Sequence, residues 1–187
     1  IAYSYSPSND LRIAHCNNVS CNSAAFYTNA TPQVDGLQPS ITTGADALGL
    51  VAYVEIDAEY PMPINLMTAH CSDGKCTAGT TAKIHSLSPL VPPPPQAYPS
   101  VTIGAFGLGA ISFFDIINGS PTIAIANCND LWCSSATISD WLLGNPPSAI
   151  TISPSGNPVV SMENTASGGA KVILCTNWFC TPNYRRR

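Results

Sequence analysis

The feature that most limits what this chain can become is a cysteine pair enclosing four residues, repeated four times: Cys16/Cys21, Cys71/Cys76, Cys128/Cys133 and Cys175/Cys180. All eight cysteines fall in this pattern, so the repeat accounts for every thiol. The residues just before it repeat too: Ala14-His15, Ala69-His70 and Ala126-Asn127, with Ile173-Leu174 in the last copy. A second anchor recurs between them as Pro39-Ser40, Pro99-Ser100 and Pro147-Ser148. An acid follows each anchor proline at one spacing: Glu55 (39 to 55), Asp115 (99 to 115) and Glu163 (147 to 163). Self-similarity at a spacing of roughly 50 residues marks an array of supersecondary units.

The units read as β-structure. Stretches such as Leu11–His15, Leu50–Ile56, Asn65–His70, Ala110–Asp115 and Thr122–Ala126 are rich in β-branched and apolar residues, and no helical period of useful length competes with them. Asp73-Gly74 and Asn118-Gly119 are hairpin-turn pairs. Prolines in 57–63 exclude helix and central strand there. The run Pro92–Pro95 makes 89–99 a stiff polyproline segment, either a surface loop or a docking ridge.

The expected fold is all-β: four antiparallel β-sheet repeats in a β-propeller-like arrangement, with one local disulfide per blade. It is read as a single domain over 1–187, with repeats near 1–37, 38–97, 98–145 and 146–187. A sheet with two apolar faces cannot bury both alone, so each unit needs neighbours. Ile1, Ala2 and Tyr3 align with Val51, Ala52 and Tyr53, so the first blade starts at its second strand and is expected to be incomplete. The absent strand is expected from a neighbouring molecule, or from a longer array of which this is a segment. An unpaired sheet edge templates another chain, and head-to-tail filling that does not close makes a filament.

Composition narrows the setting. Charged residues are 10% of the chain, against about 25% for a typical soluble domain. The formal charge is −4, so neither nucleic acid nor an anionic membrane surface is an expected partner. No apolar run approaches the length needed for membrane insertion. Evenly paired cysteines favour an oxidising, extracellular compartment. Three acceptor triplets, at Asn18, Asn29 and Asn118, make covalent glycans an expectation. The terminal Arg185–Arg187 reads as a solvated tail or a processing remnant.

The stretch Pro99–Gly104, then Gly109–Asp115, then Ala126-Asn127-Cys128 with Cys133-Ser134-Ser135, resembles a repeat of secreted, uncharacterised β-propeller-type proteins from environmental microbes. The resemblance covers essentially the whole chain. It is strongest over 99–139 and weakest over 147–187, where Ala-His is replaced by Ile173-Leu174. It implies a fold and an extracellular setting, and no activity to carry over to any residue.

The residues that invite chemistry each have a plainer reading beside the functional one. Four half-sites for zinc would have to converge, yet the pairs sit in equivalent blades and radiate apart, so local disulfides are expected instead. Closing such a six-residue loop constrains the unfolded chain by about 2 kcal/mol. His15 and His70 share a slot later held by Asn127 and Leu174, which reads as structural. His85 has no nucleophile beside it in sequence. Glu55, Asp115 and Glu163 would ring one rim if equivalent, a calcium or sugar site on one reading and turn caps on the other. No cofactor is expected. Trp132, Trp178 and Phe179 lie inside the disulfide loops, placed for contacts between copies, for glycan binding or for packing on the adjacent blade. With no catalytic constellation in view, the chain is not expected to be an enzyme. It is expected to be an extracellular structural or adhesive glycoprotein that self-assembles into a fibre by strand or edge complementation. The alternative is a lectin-like, glycan-binding module.

Overall fold

The computed structural model describes residues 1–5, 9–29, 34–57, 63–89, 97–164 and 167–181, with backbone alone at 34–35 and 140–143. The proline run, most of the 57–63 linker and the arginine tail lie outside these residues. Within them the chain is all-β. The first sheet holds β1 (Ala2–Tyr5), β2 (Asp10–Cys16) and β3 (Ala24–Asn29). The second holds β4 (Val34–Thr43), β5 (Gly49–Ile56), β6 (Ile64–Cys71) and β7 (Gly79–Ser86). The third holds β8 (Ser100–Ile103), β9 (Gly109–Ile117), β10 (Ser120–Cys128) and β11 (Ala136–Leu143). The fourth holds β12 (Asn145–Ile152), β13 (Pro158–Glu163) and β14 (Ala170–Leu174). Each sheet is an antiparallel meander. The expected β-propeller-like arrangement of four antiparallel sheets, with an incomplete first blade, is the one observed.

Why these stretches form strands is clearest in β5. Leu50, Val51, Ala52, Tyr53 and Val54 are all buried, so both faces of the pleat are apolar. A strand covered on both sides reads as a continuous apolar run rather than an alternating one. Three core layers result. Leu11 and Ile13 of the first sheet meet Val51, Tyr53, Met67 and Cys71 of the second. Leu50, Val54 and Leu66 meet Ile111, Phe113 and Cys128 across the second and third. Phe114, Ile123 and Ile125 meet Ile150, Val160 and Cys175 across the third and fourth. Every layer therefore includes a disulfide of the later sheet. Among the described residues no such layer joins the fourth sheet to the first.

The four disulfides are local, Cys16–Cys21, Cys71–Cys76, Cys128–Cys133 and Cys175–Cys180, and no free cysteine remains. Each second cysteine takes a left-handed backbone, with φ between 49° and 53°. Its N–H donates to the carbonyl three residues back, at Asn18, Asp73, Asp130 or Asn177. The side chains of those same four residues cap the loop. Asp73 accepts from the Lys75 and Thr77 N–H groups and the Thr77 hydroxyl. Asp130 accepts from the Ser134 N–H and hydroxyl. Asn177 accepts from the Thr181 N–H, and Asn18 from the Asn22 N–H. The repeat is thus Cys-x-Asn/Asp-x-x-Cys-Asn/Ser/Thr, and the Asn or Asp pays no conformational penalty for acting as a short local acceptor.

The third Pro-Ser anchor is not equivalent to the others. Ser40 faces Ala52 and Ser100 faces Ser112, but in the fourth sheet Ala149 faces Ser161 in that slot. A register shift between Asn145 and Ala149 absorbs the difference. Ser148 is buried and its hydroxyl donates to Ser112 Oγ at 3.0 Å. The acid register slips with it. Ile41, Val101 and Ile150 pair with Val51, Ile111 and Val160, so the fourth residue beyond is Glu55, Asp115 and then Asn164, not Glu163. The equal spacing of the three acids was a coincidence of an insertion.

Replacing both cysteines of Cys128–Cys133 by alanine should cost more than the roughly 2 kcal/mol set by loop closure, because both sulfurs sit in the central layer. The same change at Cys16–Cys21, which is not buried, should cost no more than that figure. Urea unfolding of the two double variants measures the difference.

Candidate interaction sites

Polar residues on the third strand of a sheet clasp it to the next. Asn127, buried on β10, donates through Nδ2 to the Trp178 carbonyl in the hairpin of the fourth sheet, at 2.9 Å. One sheet earlier the Thr68 hydroxyl donates to the Cys133 carbonyl, also at 2.9 Å. His70 is buried in the slot equivalent to Asn127, with Nε2 3.0 Å from Asp46 Oδ2, although the two are not aligned for a hydrogen bond. The anchor serines do the same work at the inner strands. Ser40 Oγ accepts from the Val101 N–H and Ser100 Oγ from the Ile150 N–H. His15, in the first sheet, is exposed.

A second junction joins β7 to β9. His85 Nε2 lies 3.1 Å from Asp115 Oδ2, and the Ser88 and Ile116 N–H groups donate to Oδ1. Burial pushes the Asp115 carboxyl up, but the His85 hydrogen bond, the two backbone donors and the His85 charge outweigh it and hold the group below its ordinary value of 3.8. No sequence signal pairs these residues, since they are 30 positions apart and on different sheets. Asp115 is therefore a junction residue. Among the described residues, no three His, Cys, Asp or Glu side chains are grouped to hold a metal ion.

The hairpin tips carry the aromatics. Trp178 and Phe179 line a groove of about 530 Å³ with Phe106, Leu108, Asn129 and Asn177. The Trp178 ring stands edge-on to Phe106, centroids 6.1 Å apart. Gly104 makes room for it, since a Cβ there would overlap the indole. Trp132 lies at the preceding step of the array, in a groove with Leu48, His70 and Ser134. Phe106, Trp132 and Phe179 are all exposed. Trp178 packs in part against the core between the third and fourth sheets, so the three aromatics singled out by sequence divide between packing and display. Phe106, which belongs to the same groove, was missed because its turn carries no cysteine.

The three acceptor asparagines sit differently. Asn118 is exposed at the tip of the β9–β10 hairpin, in the left-handed conformation its Asn-Gly turn requires. Asn18 is exposed, but its Nδ2 donates to Asn22 Oδ1 at 2.6 Å. Asn29 is half-buried, its Nδ2 3.5 Å from the Tyr53 hydroxyl of the next sheet.

No protein-family model matches the chain, and no curated protein matches it. The resemblance to secreted repeat proteins therefore rests on the repeats themselves. Among solved structures, the fold is similar to that of an endo-arabinase from Bacteroides thetaiotaomicron VPI-5482, with a TM-score of 0.52 and 11% identity, over 92% of this chain and 72% of that one. This corrects the sequence-based expectation that the chain is not an enzyme. The structure whose fold it shares is an enzyme, so the absence of a recognisable catalytic motif was too weak a ground for that exclusion.

Asp115→Asn should lower the melting temperature at neutral pH, by an amount corresponding to about 1–3 kcal/mol. A carboxyl held below its unfolded value stabilises the fold above that value and loses the contribution as pH falls through the folded one. The gap between parent and variant should therefore close below about pH 3.8, as followed by thermal melts across pH.

Proposed function

We propose that the chain is a subunit of an extracellular structural or adhesive assembly, glycosylated at Asn118 above all, in which copies join end to end through their terminal sheets. The observation that carries this is a mismatch between the two ends. Within the described residues, β1 holds the second-strand position of its sheet and the first-strand position is empty. β14 holds the third-strand position of its sheet, with no fourth strand among the described residues. Among the described residues the two ends present different edge strands, so a joint between them would be heterologous, the head-to-tail kind. β1 and β14 are edge strands of their sheets, and an edge strand can take up a neighbour's strand. Four disulfides support an oxidising setting.

Sedimentation velocity and negative-stain microscopy of the oxidised chain over a range of concentrations should show growth into linear particles. Single chains at every concentration would overturn the proposal.

The aromatic groove favours a second reading, glycan recognition, and the likeness to an endo-arabinase points the same way. Aromatic faces bind the apolar faces of sugar rings at sites of this kind. Arabinan oligosaccharides and a broad glycan panel are the probes. Gly104→Ala, which displaces the Trp178 indole, should weaken any binding about 10-fold, and a flat response of the parent across the panel counts against this reading.

A further inference from the structure

We propose that the outer face of the fourth sheet seats the first sheet of a second copy, so that the joint between copies repeats the face-to-face packing found three times within the chain. The inference rests on the end-to-end reading above and names the surface that would do the joining.

Equivalent slots show the case. Position by position, Val172 on β14 corresponds to Thr68 and Ile125, since each of them faces the same step of the strand before (Ser161, Ala52 and Ser112). Thr68 is 1% exposed and Ile125 0%, because a later sheet covers them; Val172 is 67% exposed. Leu174 corresponds to His70 and Asn127, at 3% and 1%, yet is itself 65% exposed. The two internal residues lie beneath or bond to the hairpin of the next sheet. The fourth sheet thus carries a finished seat, with no occupant among the described residues. Its two key positions are apolar rather than polar.

The first sheet has the matching deficiency. Ile1 pairs with Ala14 through both backbone bonds, which puts it in the slot of Val51, Ile111 and Val160. Those three are fully buried against the preceding sheet, and Ile1 is 64% exposed. Cys76, Cys133 and Cys180 are buried by the sheet before them, whereas Cys21 is exposed. Val19 is fully exposed, in a slot where Leu131 is partly covered and Trp178 half-buried, and most of Phe26 is exposed as well. The joints after the second and third sheets place the hairpin of the later sheet over the slot that Leu174 occupies here, whereas the first leaves His15 exposed in it. The same step between copies lays the Cys16–Cys21 hairpin, with Val19, over Leu174. Isolated apolar residues on a surface need no account, but Val172 and Ile1 stand in slots that are buried at all three internal joints, and Leu174 in one that is buried at two of them. The contact is heterologous, with one patch on each end, so it propagates unless the rotation closes a ring.

The test uses two double variants of the whole chain at exposed positions. Val172→Lys with Leu174→Lys disables the seat, and Val19→Lys with Phe26→Lys disables the end that occupies it. Circular dichroism and melting temperature should match the parent. Each variant alone should sediment as single chains, with association weakened about 100-fold or more by two unpaired charges in the joint. An equimolar mixture should give a dimer and nothing larger, since each variant keeps one sound end. Parent-like growth of the seat variant would overturn the inference and leave the strand edges as the joint. A mixture that stays single would overturn it as well. If the parent itself never associates, the end-to-end reading fails together with this surface.

Discussion

The interaction on which this structure depends is the burial of one sheet's face beneath the next. None of the four sheets has a core of its own. Each shares its apolar residues with a neighbour, and the shared layers hold fully buried side chains as large as Tyr53, Phe113, Leu50 and Ile111. A sheet with two apolar faces cannot cover both by itself. Stacking makes stability a sum of joints rather than a property of any unit, as in other quasi-one-dimensional proteins. The disulfides fit this logic. Three of the four are roofed by the preceding sheet, so the covalent clip and the hydrophobic layer stabilise the same hairpin.

Polar groups then fix which face meets which. The Asn127 amide, the Thr68 hydroxyl and the two anchor serines all bond across a joint to backbone atoms of the following sheet. These bonds are directional where apolar contact is not. A backbone N–H or C=O at the edge of a layer must find a partner, and these polar residues supply one at the second–third and third–fourth joints. The Asp115 carboxylate, in contact with the His85 ring, adds a charged version at the joint between the second and third sheets. Its charge lies in a site whose donors are already arranged, which is why the carboxyl stays ionised despite burial.

The same arrangement leaves the molecule directional. Because every sheet presents one face backwards and another forwards, an array of any length has two different ends. Interior sheets hide this difference. At the ends it shows as exposed residues in slots that are otherwise buried. The aromatic grooves run along the hairpin side at successive steps, lined by His70 and Trp132 at one and by Phe106, Trp178 and Phe179 at the next. Their spacing follows from the stacking, so any ligand that uses more than one of them must be extended along the array.

Much of this could be read from the chain before any coordinates. Four cysteine loops at regular spacing, β-branched runs between them and turn pairs such as Asn118-Gly119 were enough for the all-β class, the sheet count and the disulfide pairing, because those features are local and the repeat shows them four times. The capping Asn or Asp within each loop was equally legible and escaped notice only because two residue types share one role. What sequence could not decide is anything that depends on one sheet meeting another. The single-residue slip at Ser148 turned an apparent third acid into a non-equivalent Glu163, since alignment by spacing cannot see a register shift. The His85–Asp115 pair joins strands on different sheets, and only the packing angle between them sets its distance. Whether Val172 and Leu174 are core or surface is settled by what lies beyond them: their residue types are those of buried strands, and burial is a property of the neighbour.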